Sequence, residues 1–142
     1  MERAMNMDWA HTWLEKTFNQ RDMAGMEALY DPNVKFADVP LGVDANGWNG
    51  GLKAFFAGFF DPASGSHKFL PDSYLGNARE GVCEWTWHGT MGDADLFQLG
   101  KSVKGKTFTV RGNSVFRFDA TGKVVEERDY WDLSTVLRQL NG

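Results

Sequence analysis

Near its C-terminus the chain reads GKVVEERDYWDLSTVLRQL, residues 122–140, where Asp129 and Asp132 flank Tyr130 and Trp131 as a strand-like run turns into a helix. A carboxyl group denied water beside large aromatics has a raised pKa and can exchange protons near neutral pH. A further acid, Asp38, continues the apolar face of Val34 and Phe36 in VKFADVP, 34–40. If Asp38 and Asp129 line one hollow, a neutral acid can protonate a substrate oxygen while an ionised one removes a carbon-bound proton. That pairing suits enolisation, aldol-type cyclisation, dehydration or isomerisation. Each acid also has a structural alternative. Asp129 could pair with Arg111 or Arg128, Asp132 could cap the helix LSTVLRQL, and Asp38 could reach solvent at a strand end. Glu126 and Glu127 are expected to be partly solvated.

These acids need elements that aim them. Residues 4–20 fit an amphipathic helix with Trp9, Trp13 and Thr17 on one stripe and Ala10, Leu14 and Phe18 on the next. Asp22 can cap a second helix whose apolar face is Met23, Met26, Leu29 and Tyr30, stopped by Asp31-Pro32-Asn33. A strand follows at 34–40, then the loop LGVDANGWNGG, then a third helix, LKAFFAGFF at 52–60, ended by Asp61-Pro62. From residue 67 the pattern is β. Pro71 marks an edge or a bulge in HKFLPDSYLG. GVCEWTWHGT puts Cys83, Trp85 and Trp87 on one face and His88 on the other. KTFTVRGNSVFRF aligns Gly112, Ser114 and Phe116. The turn Asp119–Gly122 leads to a last strand carrying Glu127, Asp129 and Trp131 on one side. Helices with a run of antiparallel strands read as α+β. Trp13, Phe36, Trp85, Trp87, Ser114, Phe116 and Trp131 are expected to contact a substrate.

Composition narrows the function. With 142 residues, one domain over 1–142 is expected, able to bury roughly 70% of its unfolded surface. Of six Trp, eleven Phe and three Tyr, most of the Phe fit an ordinary core, but six Trp need more space than a small core offers and each indole N–H wants a partner, so an aromatic-lined cavity is expected. A net charge of −4 with scattered basic residues argues against nucleic acid; the short KSVKGK cluster reads as a solvated turn. Cys83 is the single cysteine, which leaves no internal disulfide. His11 and His67 lack an acidic or nucleophilic partner in recognisable spacing, no metal site is supported, and no nucleotide or serine-hydrolase motif occurs. No targeting segment or membrane-length apolar run is present, and a cytoplasmic location is expected.

With that order of elements the chain resembles the nuclear transport factor 2-like superfamily, and within it the SnoaL-like polyketide cyclases, ketosteroid isomerase and limonene-epoxide hydrolase. The resemblance rests on the opening FNQRDMAGMEALYDPNVKFAD and the closing GNSVFRFDATGKVVEERDYWDLSTVLRQL. It implies a cone-shaped, curved antiparallel sheet with N-terminal helices packed across it and a short C-terminal helix. The isomerase base lies in a motif similar to VKFADVPLG, which points to Asp38; its oxyanion donors fall on Leu14 and Ser114. The hydrolase segment RDYFDL is similar to RDYWDL, which points to Asp129; its Arg-x-Asp pair falls on Trp85 and Trp87, and its Tyr-x-Asn on Phe36 and Asp38. The cyclases end in an Asp before a helix closing Gln-Leu, which Asp132 with Gln139-Leu140 resembles. The missing donors and charge pair argue against steroid isomerisation and epoxide opening. What the resemblance implies is cofactor-free acid/base chemistry on a hydrophobic, ring-containing small molecule. A non-catalytic binding protein or a dimeric interaction domain is the alternative, with a homodimer expected in each case.

Overall fold

A computed structural model describes residues 5–141; Ala4, where the first helix was expected to begin, lies outside them. Asn6 starts α1, Met7–His11, by accepting hydrogen bonds from the Asp8 and Trp9 N–H groups. The helix continues as a π-helical segment, Thr12–Phe18, which keeps Trp13, Leu14, Thr17 and Phe18 buried together. Asp22 caps α2, Met23–Leu29, by accepting from the Gly25 N–H at 2.9 Å.

The next residues depart from expectation. Tyr30 does not extend α2 but opens strand β1, Tyr30–Asp38, and Asp31-Pro32-Asn33 lie within that strand. Proline is tolerated because the pairing of β1 with its neighbour slips between Tyr30 and Lys35, where no ladder N–H is required. The glycine-rich loop also holds more structure than expected: a short strand β2, Val43–Asn46, and a buried Trp48 at the start of a kinked turn, Trp48–Leu52. Helix α3, Lys53–Phe60, then buries Phe56 and Phe59.

The long strands follow: β3 (Gly65–Gly76), β4 (Glu80–Met91), β5 (Thr107–Phe118) and β6 (Val124–Trp131), closed by α4 (Leu133–Asn141). The six strands form one sheet in the order β2-β1-β6-β5-β4-β3. Neighbours are antiparallel except β1 with β6, which run parallel. The fold is therefore α+β, a curved open sheet with helices across one face. Bulges supply the curvature. One lies between Pro71 and Ser73 on the edge strand, where it was expected, and another follows Arg117 where β5 meets β6.

The covered face carries Phe36, Trp85, Trp87, Phe108, Val110, Phe116 and Trp131, packed beneath Trp9, Trp13, Leu14, Phe18, Leu52 and Phe56. Among the described residues no helix is long and apolar enough to cross a membrane. One glycine makes the aromatic layer possible. A Cβ on Gly112 would sit 2.5 Å from both the Trp85 ring and the Tyr130 carbonyl oxygen. Gly112→Ala is expected to destabilise the protein by about 1–3 kcal/mol through overpacking, read as a lower urea midpoint with an unchanged slope.

Candidate active site

Strand register brings the acids together. Asp38 stands opposite Asp129 across β1 and β6, Ser114 stands opposite Asp129 across β5 and β6, and Phe36 stands opposite Glu127. Asp38, Glu127, Asp129 and Ser114 form the polar end of one cavity. Trp13, Trp85, Trp87 and Trp131 supply indole walls, and Phe55, Phe56 and Phe59 of α3 close the opposite side with Phe18 and Phe69. No Lys, Arg or His is among the described residues lining it. The space between them is about 40 Å³, room for about three waters, and is partly open to solvent.

The indoles are donors only, so they fix the direction of every hydrogen bond they start. Trp131 Nε1 donates to both Asp38 oxygens at 3.2 Å, and the Leu41 N–H adds a bond to Asp38 Oδ1 at 3.1 Å. Trp85 Nε1 donates to Ser114 Oγ at 2.9 Å, and Ser114 donates to Asp129 Oδ1 at 2.6 Å. Trp13 Nε1 donates to the Tyr30 hydroxyl at 3.0 Å, and Tyr30 donates to Glu127 Oε1 at 2.5 Å.

Burial dominates the acid strengths. It raises the pKa of Asp38, which is 4% exposed; hydrogen bonds from Trp131 and Leu41 act the other way. It raises Glu127, which is 0% exposed, against hydrogen bonds from Asp129 and Tyr30. Asp129 is half-buried as a residue, yet its carboxyl is enclosed enough that burial lifts its pKa well above the carboxylate range. The charge of Glu127 lifts it further. Tyr30 is held protonated by burial and by the Glu127 charge.

Seven expected residues meet at this site: Asp38, Asp129, Trp13, Trp85, Trp87, Ser114 and Trp131. Three do not. Asp132 is exposed and accepts from Ser134 N, Ser134 Oγ and Thr135 Oγ1, so it caps α4 instead of facing the cavity. Phe36 is buried against Phe55 and Phe56, behind the lining. Phe116 packs edge-on to Trp9 and Trp13 at the closed end of the core. Arg128 pairs with Glu126, not with Asp129. Glu127 corrects the expectation of partial solvation: it is the most enclosed of the acids. Its strand parity matches Asp129 and Trp131, and that parity was the available signal. His67 is held by an indole and a backbone carbonyl. Its Nδ1 accepts from Trp87 and its Nε2 donates to the Ser64 carbonyl, and burial lowers its pKa to about 4.

Comparison with known proteins places the family and the fold. The family model described as SnoaL-like polyketide cyclase matches residues 9–140. No curated protein matches the sequence. A nuclear transport factor 2-like protein of unknown function from Burkholderia pseudomallei is 22% identical, covering 96% of this chain and 98% of its own, with TM-score 0.72. A putative SnoaL-like polyketide cyclase from Shewanella denitrificans is 19% identical over 95% and 96% of the two chains, with TM-score 0.74. A protein from Catenulispora acidiphila with a ketosteroid isomerase-like fold, solved in complex with trimethylamine, is 14% identical over 96% and 95%, with TM-score 0.76. At these identities the likeness is one of fold.

The raised acids set a pH dependence of stability. Unfolded, Asp and Glu lose their protons near about pH 4; folded, Asp38, Glu127 and Asp129 keep them to higher pH. The folded state binds more protons in that window, so their contribution is full below it and is lost as pH rises through the folded pKa values. His67 acts oppositely, losing stability as pH falls from its unfolded value toward about 4. Asp129→Asn is expected to shrink the fall in Tm between about pH 5 and about pH 8, measured by circular dichroism.

Proposed function

The chain belongs to the SnoaL-like polyketide cyclase family, and from that premise we propose that it is a cofactor-independent acid/base enzyme acting on a neutral, ring-containing small molecule. The observation that carries this reading is the set of acids Asp38, Glu127 and Asp129 facing one aromatic cavity whose described lining has no cation. An anionic ligand would meet uncompensated negative charge there. A neutral ring with a carbonyl oxygen meets π faces and a proton donor.

In this reading Asp129 holds its proton and gives it to a substrate carbonyl oxygen. Asp38, which receives N–H bonds on both oxygens, is the carboxylate that takes a proton from the adjacent carbon. The result is an enol, the common intermediate of isomerisation, aldol cyclisation and dehydration. Indole faces hold the ring in one plane, so that oxygen and carbon meet their acids together. The cavity is partly open to solvent but far smaller than a polycyclic ligand, and a larger ring would be admitted by α3 moving its phenylalanines aside. Gly51, at φ 133°, precedes α3, and no side chain caps that helix. Both features make its start the natural hinge.

A second reading has its own support. A 40 Å³ space walled by indoles and carboxyls also suits a small alkylammonium ion, held by cation–π contact and by acids that ionise around it. The trimethylamine bound by the Catenulispora protein favours that ligand class. The protein would then be a binder without turnover.

Deuterium exchange separates the two. Proton NMR in D2O is expected to show accelerated loss of the α-proton signal of neutral cyclic ketones, with Asp129→Asn reducing that rate by about 10²–10⁴-fold. Tryptophan quenching by the ketone should survive the substitution. Saturable binding of trimethylammonium with no exchange on any ketone would favour the second reading.

A further inference from the structure

We propose that Glu127 and Asp129 form a dyad that holds one proton between them at neutral pH, with Tyr30 as the positioning residue that keeps the proton on Asp129. The dyad itself stands on two carboxyl groups facing one cavity and on a buried Glu127 oxygen that no donor reaches; only its consequence for turnover rests on the acid/base reading above.

Direction fixes the count. The indole N–H of Trp13 points into the Tyr30 hydroxyl, so the phenol proton is free to go to Glu127 Oε1 at 2.5 Å. The indole N–H of Trp85 likewise leaves Ser114 to donate to Asp129 Oδ1 at 2.6 Å. Each carboxyl group thus takes one hydroxyl proton and has its other oxygen left over. Glu127 Oε2 is buried and meets no N–H or hydroxyl donor. Asp129, two residues further along the same strand face, turns its carboxyl into the same cavity, and each acid shifts the other's strength. Two carboxylates have no hydrogen to share, so a hydrogen bond between them requires one of them to be protonated.

The proton belongs on Asp129. A phenol is a far better acid than an alkyl alcohol, so Tyr30 is a stronger donor to a carboxylate than Ser114 is. Glu127 therefore receives the larger stabilisation of its charge. The acid strengths agree: Glu127 raises Asp129 further, while Tyr30 and Asp129 restrain Glu127. Other titratable groups that face the pair are Asp38 on β1 and Cys83 on β4. The helical segments contribute no charged side chain to the described cavity lining.

The chemistry follows. When Asp129 protonates a substrate oxygen, its O–H bond breaks, the new O–H bond forms on the substrate, and the electron pair stays on Asp129. Two adjacent carboxylates remain. Their repulsion drives recovery of the proton, so one residue serves as acid and then as a strong base.

Carbon-13 NMR of the unmodified protein tests this directly. The Glu127 Cδ and Asp129 Cγ signals are expected to titrate together in two separated steps, with one proton shared across the neutral range. In Glu127→Gln the Asp129 step should fall by about one pH unit or more, because its anionic neighbour is gone. In Tyr30→Phe, which keeps the ring, the Glu127 signal should move toward its protonated position at neutral pH. Independent single titrations in the unmodified protein, or an Asp129 step unmoved by Glu127→Gln, would overturn the dyad. Loss of ketone exchange with the dyad intact would reject only the catalytic reading.

Discussion

Asp38, Glu127 and Asp129 share a cavity with no cation among its described lining residues, and the cost of removing their charge from water governs the design around them. An unpaired buried carboxylate costs several kcal/mol after relaxation. A hydrogen bond to a charged group returns about 1.5–3 kcal/mol. Asp38 has Trp131 across both oxygens and a backbone N–H on one of them, which can sustain ionisation. Glu127 and Asp129 have one hydroxyl donor each, which cannot sustain two charges side by side. Sharing a proton is the cheaper state, and it is also the useful one for acid/base chemistry.

The tryptophans act in two roles because of this constraint. Their rings wall the cavity, stacked and edge-on, as with Trp87 against Phe69 and Trp131. The N–H groups of Trp13, Trp85 and Trp131 begin the hydrogen-bond chains that end on the acids, while that of Trp87 goes to His67. A phenylalanine could supply the wall but not the donor. The curved sheet makes the convergence possible, since β1, β6, β5 and β4 are consecutive neighbours and each contributes to the polar end or its relays. Gly112 lets Trp85 lie flat across β5 toward Ser114.

Strand alternation made much of this legible in the sequence. It put Trp85 with Trp87, Asp38 with Phe36, and Asp129 with Trp131, and those faces do converge. Alternation tells face but not depth, however. Phe36 and Phe116 point toward the same layer and stop behind it. Glu127 has the right face, but a glutamate beside Glu126 and Arg128 reads as solvated, and its Tyr30 partner lies 97 residues away. Tyr30 itself was assigned to a helix because the strand that it opens contains a proline, and only the slipped register removes the conflict. Asp132 carried two compatible readings, cap and catalyst, and the hydroxyls of Ser134 and Thr135 decide for the cap.

The chain has the fold of the SnoaL-like polyketide cyclase family, and the carboxyl group triad gives this member its own character. Its acids are tuned by one another and by indoles, not by arginine or lysine. Neutron diffraction from a deuterated crystal at neutral pH addresses that point most directly. The expected result is a single deuteron between the Glu127 and Asp129 carboxyl groups, with Asp38 bare beneath the Trp131 N–D. A bound cation neutralising the acids, or no deuteron on either Glu127 or Asp129, would contradict it.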